Sequence, residues 1–425
     1  MKIYLDTIGC RLNQSEIESY AMQFRYTGHV LVASPSEADL AVVNTCAVTV
    51  KAAADSRKKI RSMKRAGVPR IVVTGCWSTL DPQTASDLVG VDQIVMNIEK
   101  EHLVPLVLNL PHNAFDTVRI ARKPIPGIRL KTRAFIKVQD GCDNHCTYCV
   151  TTIARGSSKS RPAKSVIREV EAAVEGGANE VVLTGVHMGS WGKDFSSPVT
   201  LNRLVKMIID ETDIPRLRLS SLEPWDIDKD FCELWQDGRL ARHFHLPLQS
   251  GSGVTLKRMA RKITPVAFAE LLMIIREAIP DVAITTDIIV GFPGETSDDF
   301  KESLAFVKNM NFARGHVFTY SERPGTPAAN MSGCVPFSER KSRNALMREV
   351  VGESENLFQR RFLGKMVLVL WENARKNQNS GWTLNGLTDN YLRVKATSSH
   401  NLWNKFSQVK LTGIEGRNMT GQIEE

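Results

Sequence analysis

Residues 140–150 have the sequence DGCDNHCTYCV, in which three and then two residues separate Cys142, Cys146 and Cys149. A cubane iron–sulfur cluster has four irons that each prefer a thiolate, so a loop with three cysteines leaves the fourth iron open to a ligand. A structural zinc site would need a fourth protein ligand, and His145 is the only adjacent candidate. Because His145 directly precedes Cys146, both side chains could hardly turn toward one ion. The spacing therefore favours an iron–sulfur enzyme over a zinc protein.

A β/α series begins just before this loop and continues beyond it. Six short, mostly β-branched runs alternate with helical stretches such as SVIREVEAAVEGG. Six β/α units are too few for the eight of a closed barrel, so the sequence predicts an open, partial (β/α)6 barrel with its site at the carboxyl ends of the strands. The predicted strands are FIKVQD (135–140), EVVLTGV (180–186), RLRLSSL (216–222), HFHLPL (243–248), VAITTDIIV (282–290) and GHVFTY (315–320).

Polar residues and glycines follow several of these strands, at the edge where a β/α fold places its ligand contacts. Glycine lets the backbone approach a cofactor, and hydroxyl, amide and carboxylate groups can bind the ribose hydroxyls and amino group of an adenosine sulfonium. Any one of them alone is more often a turn or cap residue. The candidate cofactor contacts are Thr184, Gly185, Ser221, Glu223, Gln249 and Asp287, together with the aromatic face of Tyr148 in the cysteine loop.

The first hundred residues also alternate β-branched runs with helical stretches, which predicts a parallel sheet covered by helices. Three of the runs lead to a cysteine, namely Cys10, Cys46 and Cys76. Because the carboxyl ends of parallel strands share one edge, these distant cysteines can meet at one point. Three small core residues are the alternative, since Cys is often buried, but neighbours such as Asn44 and Thr45 are unusual in a core. The placement favours a second cluster, again with an open iron.

The bulk composition suits two or three folded domains. The chain has 425 residues, 42% hydrophobic and 24% charged, which is too apolar for a disordered protein. The start resembles no signal peptide, and no apolar run of about eighteen residues occurs, so we expect a cytoplasmic protein with no membrane partner. Eight cysteines suit metal binding better than a disulfide scaffold. Cys232 and Cys334 have no partner at a useful spacing and are expected to be ordinary core or surface residues.

Basic residues exceed acidic ones. The net charge of +9 suggests a polyanionic partner such as nucleic acid, although many basic proteins bind none. One segment is crowded with cations, and it could equally be the solvated face of a helix. Its residues are Arg57, Lys58, Lys59, Arg61, Lys64 and Arg65, and a smaller group, Arg155, Lys159 and Arg161, follows the cysteine loop.

The remaining segments complete the predicted organisation. Several prolines between the two β/α series indicate a linker. After about Gly364, short alternating strands punctuated by Gly and Asn suit a small β-barrel of the oligonucleotide-binding type. We therefore expect an N-terminal cluster domain (1–110), a linker (111–134), a central β/α core (135–360) and a C-terminal β module (361–425).

Taken together, the two cysteine sets, the S-S-x-E-P strand end, the H-x-P-x-Q-S-G stretch and the final β module resemble the radical S-adenosylmethionine methylthiotransferases over essentially the full length. Within that family, KVQDGCDNHCTYC, LTGVHMGSWGKDF, SSLEPWDID and RPGTPAANM are most similar to the branch acting on N6-threonylcarbamoyladenosine in tRNA, next to the anticodon. One departure follows the third cysteine of the loop. Relatives usually continue with a hydrophobic residue and proline, whereas this chain has VTTIARG (150–156).

The resemblance implies two 4Fe–4S clusters, a radical cluster on Cys142, Cys146 and Cys149 and an auxiliary cluster on Cys10, Cys46 and Cys76. The radical cluster would bind S-adenosylmethionine and donate an electron, which yields a 5′-deoxyadenosyl radical that attacks the adenine C2–H. The auxiliary cluster would hold the sulfur that a second S-adenosylmethionine methylates before transfer. The resemblance further implies a C-terminal TRAM domain that binds the tRNA substrate, and an electron donor such as a flavodoxin or ferredoxin.

Other functions stay open at this point. The same chemistry could act on isopentenyladenosine in tRNA or on a ribosomal-protein side chain, although a basic chain with a C-terminal β module favours RNA over protein. A radical enzyme whose N-terminal cysteines bind nothing is a further alternative. A non-catalytic RNA-binding or cluster-carrier protein is the alternative from another functional class.

Overall fold

The computed structural model of the chain describes residues 1–115, 122–123, 125–126, 132–377 and 381–424. These residues form two compact units. Unit 1 comprises Met1–Asn144, Cys149–Gly177 and Leu183–Val199, and unit 2 comprises His145–Tyr148, Ala178–Val182 and Thr200–Glu425. Much of the predicted linker, residues 111–134, lies outside the described residues, and the division into the four predicted segments stays a prediction.

Unit 1 begins with β1 (Lys2–Thr7), α1 (Arg11–Tyr26), β2 (Val30–Leu31), β3 (Leu40–Thr45), α2 (Val50–Arg65), β4 (Arg70–Gly75), α3 (Cys76–Leu80), α4 (Pro82–Ser86), β5 (Gln93–Val95) and α5 (Leu103–Leu108). The strands form one parallel sheet in the order β2-β1-β3-β4-β5. Successive residues of a strand face opposite sides, so Val42 packs in one apolar cluster with Phe24 of α1 and Val43 in another with Ile60 of α2. The predicted parallel-sheet α/β domain is confirmed.

The second β/α series contains all six predicted strands. In unit 2, β11, β12 and β13 are parallel neighbours, and the N–H of Val181 in β9 donates to the C=O of Arg216 at 2.9 Å, next to β10. Among the described residues, no helix is long and apolar enough to span a lipid bilayer. The elements are β6 (Arg133–Lys137), β7 (Gln139–Asp140), α6 (Thr151–Arg155), β8 (Lys159–Ser160), α7 (Ala163–Glu175), β9 (Glu180–Thr184), α8 (Leu201–Glu211), β10 (Leu217–Leu219), α9 (Lys229–Glu233), β11 (His243–His245), α10 (Gly253–Arg258), α11 (Pro265–Ala278), β12 (Ala283–Val290), α12 (Ser297–Met310), β13 (Arg314–Thr319) and α13 (Phe337–Arg360).

The C-terminal module is a closed five-stranded barrel within unit 2. Its strands are β14 (Met366–Lys376), β15 (Trp382–Thr388), β16 (Arg393–Ser398), β17 (Phe406–Glu415) and β18 (Asn418–Ile423), in the order β14-β15-β16-β18-β17. Alternate residues such as Val369, Trp371, Leu384, Val409 and Met419 are buried in its core, as a small barrel filled by side chains requires. The predicted small β-barrel is confirmed.

Candidate functional site

Cys10, Cys46 and Cys76 directly follow or lie just beyond β1, β3 and β4, at the edge that the sequence pattern predicts. The loops are close: Gly9 has φ +111°, and a Cβ at Gly9 would lie 2.6 Å from the Cβ of Cys46. The three thiols lie within electrostatic range of one another. Burial raises the pKa of the Cys46 thiol to about 11, so this thiol keeps its proton until a metal ion displaces it.

Asn13, near the start of α1, links the loops after β1 and β3 by hydrogen bonds. Its side-chain amide donates to the C=O of Ile8 at 2.8 Å and to the C=O of Thr45 at 3.0 Å. Its side-chain oxygen accepts from the guanidinium of Arg155 at 2.8 Å and lies 3.6 Å from the Sγ of Cys10. The loops after β1 and β3 are thus held by hydrogen bonds from a side chain that is itself buried.

Arg155, at the end of α6, belongs to a buried network of charges. Its guanidinium contacts Glu16 at 3.1 Å and Asp140 at 2.8 Å, and the Nζ of Lys100 lies 2.5 Å from Glu16. Only 3% of the Arg155 side chain and 3% of the Glu16 side chain are exposed. Burial alone would raise the pKa of Glu16, but Lys100, Arg155 and Lys137 outweigh it and hold that pKa at about 2. Glu16 therefore stays ionised, and Arg155 stays charged beside Asn13.

Asn97 links the third N-terminal cysteine to α6. Its side-chain amide lies 3.6 Å from the Sγ of Cys76 and donates to the C=O of Ala154 at 2.7 Å. Ala154 directly precedes Arg155, so α6 is linked to Cys10 through Asn13 and to Cys76 through Asn97. Hydrogen bonds to the sulfurs are one of the means by which proteins tune a cluster.

The cysteine loop between β7 and α6 is shaped by tight backbone contacts. The N–H of Cys142 donates to the C=O of Gly156 at 3.0 Å. The N–H of Asn144 donates to the Sγ of Cys142 at 3.4 Å, and the N–H of Thr151 donates to the Sγ of Cys149 at 3.3 Å. These two thiols, like that of Cys146, are partly exposed. Two of the three sulfurs of the loop therefore accept backbone hydrogen bonds, and all three cysteine residues are partly exposed.

Gly141 allows the first turn of this loop. Its φ is +68°, and a Cβ there would lie 1.9 Å from the backbone oxygen of Ser157. We expect Gly141→Ala to lower the free energy of unfolding of the apoprotein by more than the roughly 1–3 kcal/mol of backbone strain alone, because a backbone oxygen must also move. Gly156→Ala is the matched control, since Gly156 has φ +74° and a Cβ there would meet nothing within 4 Å. Equal losses in urea unfolding of the two variants would contradict this account.

Arg261 is the charged partner of the middle cysteine of the loop. Its guanidinium lies 3.7 Å from the Sγ of Cys146 and 2.6 Å from a carboxylate oxygen of Glu223. It also donates to the C=O of Pro247 at 2.7 Å and stacks over the ring of Trp225, 4.6 Å from its centroid. Arg261 thus places a fixed positive charge next to the sulfur of Cys146.

Both cysteine sets fit iron–sulfur clusters better than single ions. Among the described residues, no three His, Cys, Asp or Glu side chains lie close enough together to hold one metal ion. A cubane does not need such a group, because each of its irons takes a thiolate of its own. The three thiols of the N-terminal set lie within electrostatic range of one another. Glu16 also acts on Cys10, but its carboxylate is bound by Lys100 and Arg155. Sulfurs of both sets lie beside N–H donors.

Comparison with known proteins agrees with this geometry. Residues 2–97 match the uncharacterized protein family UPF0004, and residues 136–307 match the Radical SAM superfamily. The threonylcarbamoyladenosine tRNA methylthiotransferase MtaB of Bacillus subtilis is 33% identical over 419 residues, which cover 95% of this chain and 92% of the relative. MtaB of Thermotoga maritima is 37% identical over 87% of this chain and 86% of its own length. The chain belongs to the radical S-adenosylmethionine methylthiotransferase family.

A solved structure independently supports the fold. The radical S-adenosylmethionine methyltransferase TsrM from Kitasatospora setae, solved with cobalamin and a 4Fe–4S cluster bound, superposes with a TM-score of 0.57 over 77% of each chain. Its 16% sequence identity shows the fold alone. As a radical S-adenosylmethionine methylthiotransferase, the chain is a transferase that uses S-adenosylmethionine and 4Fe–4S clusters.

Four of the predicted S-adenosylmethionine contacts lie in unit 2: Ser221, Glu223 and Gln249 follow β10 or β11, whereas Asp287 lies within β12. The side chain of Glu223 is bound to Arg261. Ser221 forms a β-bridge with His245, and Gln249, with φ +72°, donates its N–H to the C=O of Asp287 at 2.8 Å. Burial would raise the pKa of Asp287, but hydrogen bonds from two histidines lower it well below its usual range. Their role in binding the cofactor stays a prediction.

The other three predicted contacts also occupy defined places. The ring of Tyr148 packs edge-to-face on Phe292, with centroids 6.4 Å apart in unit 2. In unit 1, Thr184 is buried and accepts a hydrogen bond from the N–H of Val138. A Cβ at Gly185 would lie 2.8 Å from the Cγ of Met188, so a larger residue here would force Met188 to shift. Of the two unassigned cysteines, Cys232 is buried and Cys334 is exposed.

Sequence reasoning missed the polar residues that surround the thiols: Asn13, Asn97, Arg155 and Arg261. Arg155 lies in the VTTIARG stretch that departs from the family pattern, six residues after Cys149, and this proximity in sequence could have indicated a role near the cysteines. Asn13 follows Cys10 by three residues, which was a weaker one. For Asn97 and Arg261 no local signal exists, because only the fold brings them to a cysteine.

Proposed function

We propose that this chain methylthiolates C2 of N6-threonylcarbamoyladenosine next to the anticodon of tRNA. The observation that carries the proposal is the presence of two separate three-cysteine sets in a chain that matches tRNA methylthiotransferases named MtaB along nearly its whole length. Insertion of sulfur at an unactivated C–H needs both a radical source and a sulfur carrier. Two sets that each supply three thiolates answer that need, because each leaves one iron of a cubane open.

In this proposal the two cysteine sets have different tasks. Cys142, Cys146 and Cys149 would hold the radical cluster, and Cys10, Cys46 and Cys76 would hold the auxiliary cluster. When bound, the clusters and S-adenosylmethionine supply the reducing electron, the radical that removes the C2 hydrogen, the sulfur and the methyl group. The protein holds the thiols in place and sets the charge around them.

Individual side chains of this chain would position the reactants. Arg261 lies beside Cys146 and binds Glu223 in an ion pair, which fixes the Glu223 carboxylate in the segment after β10. Asp287 stays ionised between His245 and His316, and an ionised carboxylate can accept hydrogen bonds from an amino or ribose hydroxyl group. Asn13 and Arg155 would keep the auxiliary loops in register.

The remaining parts of the proposal concern partners and place. The C-terminal five-stranded barrel, residues 361–425, would bind the tRNA, and the net charge of +9 suits a polyanionic substrate. A tRNA substrate would place the reaction in the cytoplasm. Reduction of the radical cluster needs an electron donor such as a flavodoxin or ferredoxin.

A second candidate substrate has support of its own. A tRNA-2-methylthio-N(6)-dimethylallyladenosine synthase of Bacillus cereus is 32% identical over 443 aligned positions, which cover 100% of this chain and 86% of that relative. Its product differs only in the group on N6. The MtaB proteins of Bacillus subtilis and Thermotoga maritima match at slightly higher identities, 33% and 37%. We therefore propose threonylcarbamoyladenosine as the substrate.

Mass spectrometry of tRNA nucleosides tests the proposal. In a strain deleted for this chain, we expect the methylthio form of threonylcarbamoyladenosine to disappear and the unmodified form to accumulate. Expression of the wild-type chain should restore the product, and a Cys46→Ser variant should not, because the auxiliary set would lose a thiolate. Loss of the methylthio-dimethylallyladenosine instead would establish the second candidate. Persistence of both products would contradict a role in tRNA methylthiolation.

A further inference from the structure

Helix α2 carries a large local excess of positive charge. Its sixteen residues contain seven cations and one anion, Asp55, which gives a net charge of +6 against +9 for the whole chain. The buried side of α2 consists of Ser56, Ile60 and Met63. The cations are Lys51, Arg57, Lys58, Lys59, Arg61, Lys64 and Arg65.

Four of these cations form one stripe along the solvent side of α2. Lys51, Lys58, Arg61 and Arg65 are all exposed and follow one another at helical spacing. At a rise of 1.5 Å per residue the stripe is about 21 Å long. Among the described residues, none of the four has an acidic side chain within ion-pair distance. By contrast, Lys59 is paired with Asp6 at 2.6 Å.

Other helices of the protein mix charges of both signs. Helix α8 is an example, because Arg203 and Lys206 share it with Asp210 and Glu211. Like charges three or four residues apart destabilise a helix by a few tenths of a kcal/mol per pair. On α2 a single anion, Asp55, offsets only a small part of the repulsion among seven cations, and a bound polyanion would offset more of it.

The start of α2 is tied to the auxiliary cysteine set. The hydroxyl of Ser56 in α2 accepts from the N–H of Cys46 at 3.1 Å. Thr49 caps the helix by accepting from the N–H of Ala52 at 3.0 Å. The stripe therefore begins five residues after Cys46, and a polyanion bound along it would pass close to the edge where Cys46 lies.

We propose that the stripe formed by Lys51, Lys58, Arg61 and Arg65 binds the phosphate backbone of the tRNA substrate and so helps to hold the nucleoside near the auxiliary cysteine set. This inference rests on the proposed function and adds to it a binding surface in unit 1. Each phosphate contact contributes about 0.9 to the slope of log K against log salt for a duplex and about 0.7 for a single strand. The contacts read no sequence and serve to position the RNA.

The test compares the tRNA binding of two triple variants with that of the wild-type protein. In the first, Lys58, Arg61 and Arg65 are changed to alanine. The control changes Arg203, Lys206 and Lys308, which are exposed cations on α8 and α12, and removes the same charge. We expect the first variant to bind transcribed tRNA roughly tenfold or more weakly near physiological salt, with a salt slope smaller by about two to three. The control should bind within about twofold of the wild type.

Measurements of tRNA binding test the proposed binding stripe, and measurements of product formation test the proposed reaction. If the stripe variant binds tRNA with the wild-type affinity and salt slope, or if the control weakens binding equally, the stripe is only a solvated face and the inference is wrong. Binding that depends on the stripe but is competed equally well by an acidic protein would overturn tRNA as its partner. The proposed function is tested independently, since wild-type protein that binds tRNA but forms no methylthio product contradicts the reaction while leaving the binding surface supported.

Discussion

Cys146→Ala should abolish the release of 5′-deoxyadenosine from S-adenosylmethionine while the protein keeps about half of its iron. Two cubane clusters contain about eight irons, and each cysteine set is expected to hold about four. Cys146 is the thiol of the loop that Arg261 contacts, and its loss leaves two ligands for the radical cluster. Cys46→Ala should have the complementary effect, with about half of the iron lost and reductive cleavage of S-adenosylmethionine retained.

Anaerobic reconstitution with iron and sulfide, followed by iron analysis and quantification of 5′-deoxyadenosine under reductant, measures both effects. Cys334→Ala is the control, because this exposed cysteine has no assigned role, and it should change neither quantity. Unchanged iron in Cys46→Ala would show that the N-terminal cysteines bind no cluster. Undiminished 5′-deoxyadenosine from Cys146→Ala would contradict radical chemistry at the loop.

The cysteine positions were predictable because they depend only on strand order. A parallel sheet gathers the ends of its strands at one edge, and Cys10, Cys46 and Cys76 follow three strands that prove to be neighbours. The six β/α units and the final barrel were predictable for a related reason, since β-branched runs and alternation are local properties. The residues that define a strand are adjacent in sequence, so its pattern can be recognised without the tertiary structure.

The polar environment of the thiols was not predictable. The guanidinium of Arg155 and the amide oxygen of Asn13 meet across 142 residues of sequence, and no local period relates them. Glu223 was predicted to contact the cofactor, but no sequence pattern indicated that Arg261 would bind it in an ion pair. Pairings of this kind arise from tertiary packing, in which one of many cations meets one of many carboxylates.

Arg155→Met should destabilise the apoprotein by roughly 3–5 kcal/mol, because removal of one partner leaves buried carboxylates without full compensation. Glu16 and Asp140 would both lose a contact of about 3 Å. Arg155→Lys keeps the charge but cannot reach two carboxylates and Asn13 at once, so we expect an intermediate loss. Urea unfolding under anaerobic conditions measures the free energies. Equal stability of the wild type and Arg155→Met would show that Lys100 and Lys137 suffice to compensate Glu16.

The acid dependence of the same variants distinguishes electrostatic from packing effects. The pKa of Glu16 is about 2 in the folded protein and about 4.5 when unperturbed. Because the folded-state pKa lies below the unfolded value, ionised Glu16 stabilises the folded protein by about 3 kcal/mol above pH 4.5. This stabilisation is lost as the pH falls toward 2. In Arg155→Met the pKa of Glu16 should rise, so this part of the stability becomes smaller and less of it is lost on acidification. If Arg155→Met and the wild type instead lost the same free energy between pH 6 and pH 3, Arg155 would act by filling space. A smaller loss in the variant, with an intermediate loss in Arg155→Lys, would establish that its charge holds the buried network beside the auxiliary cysteines.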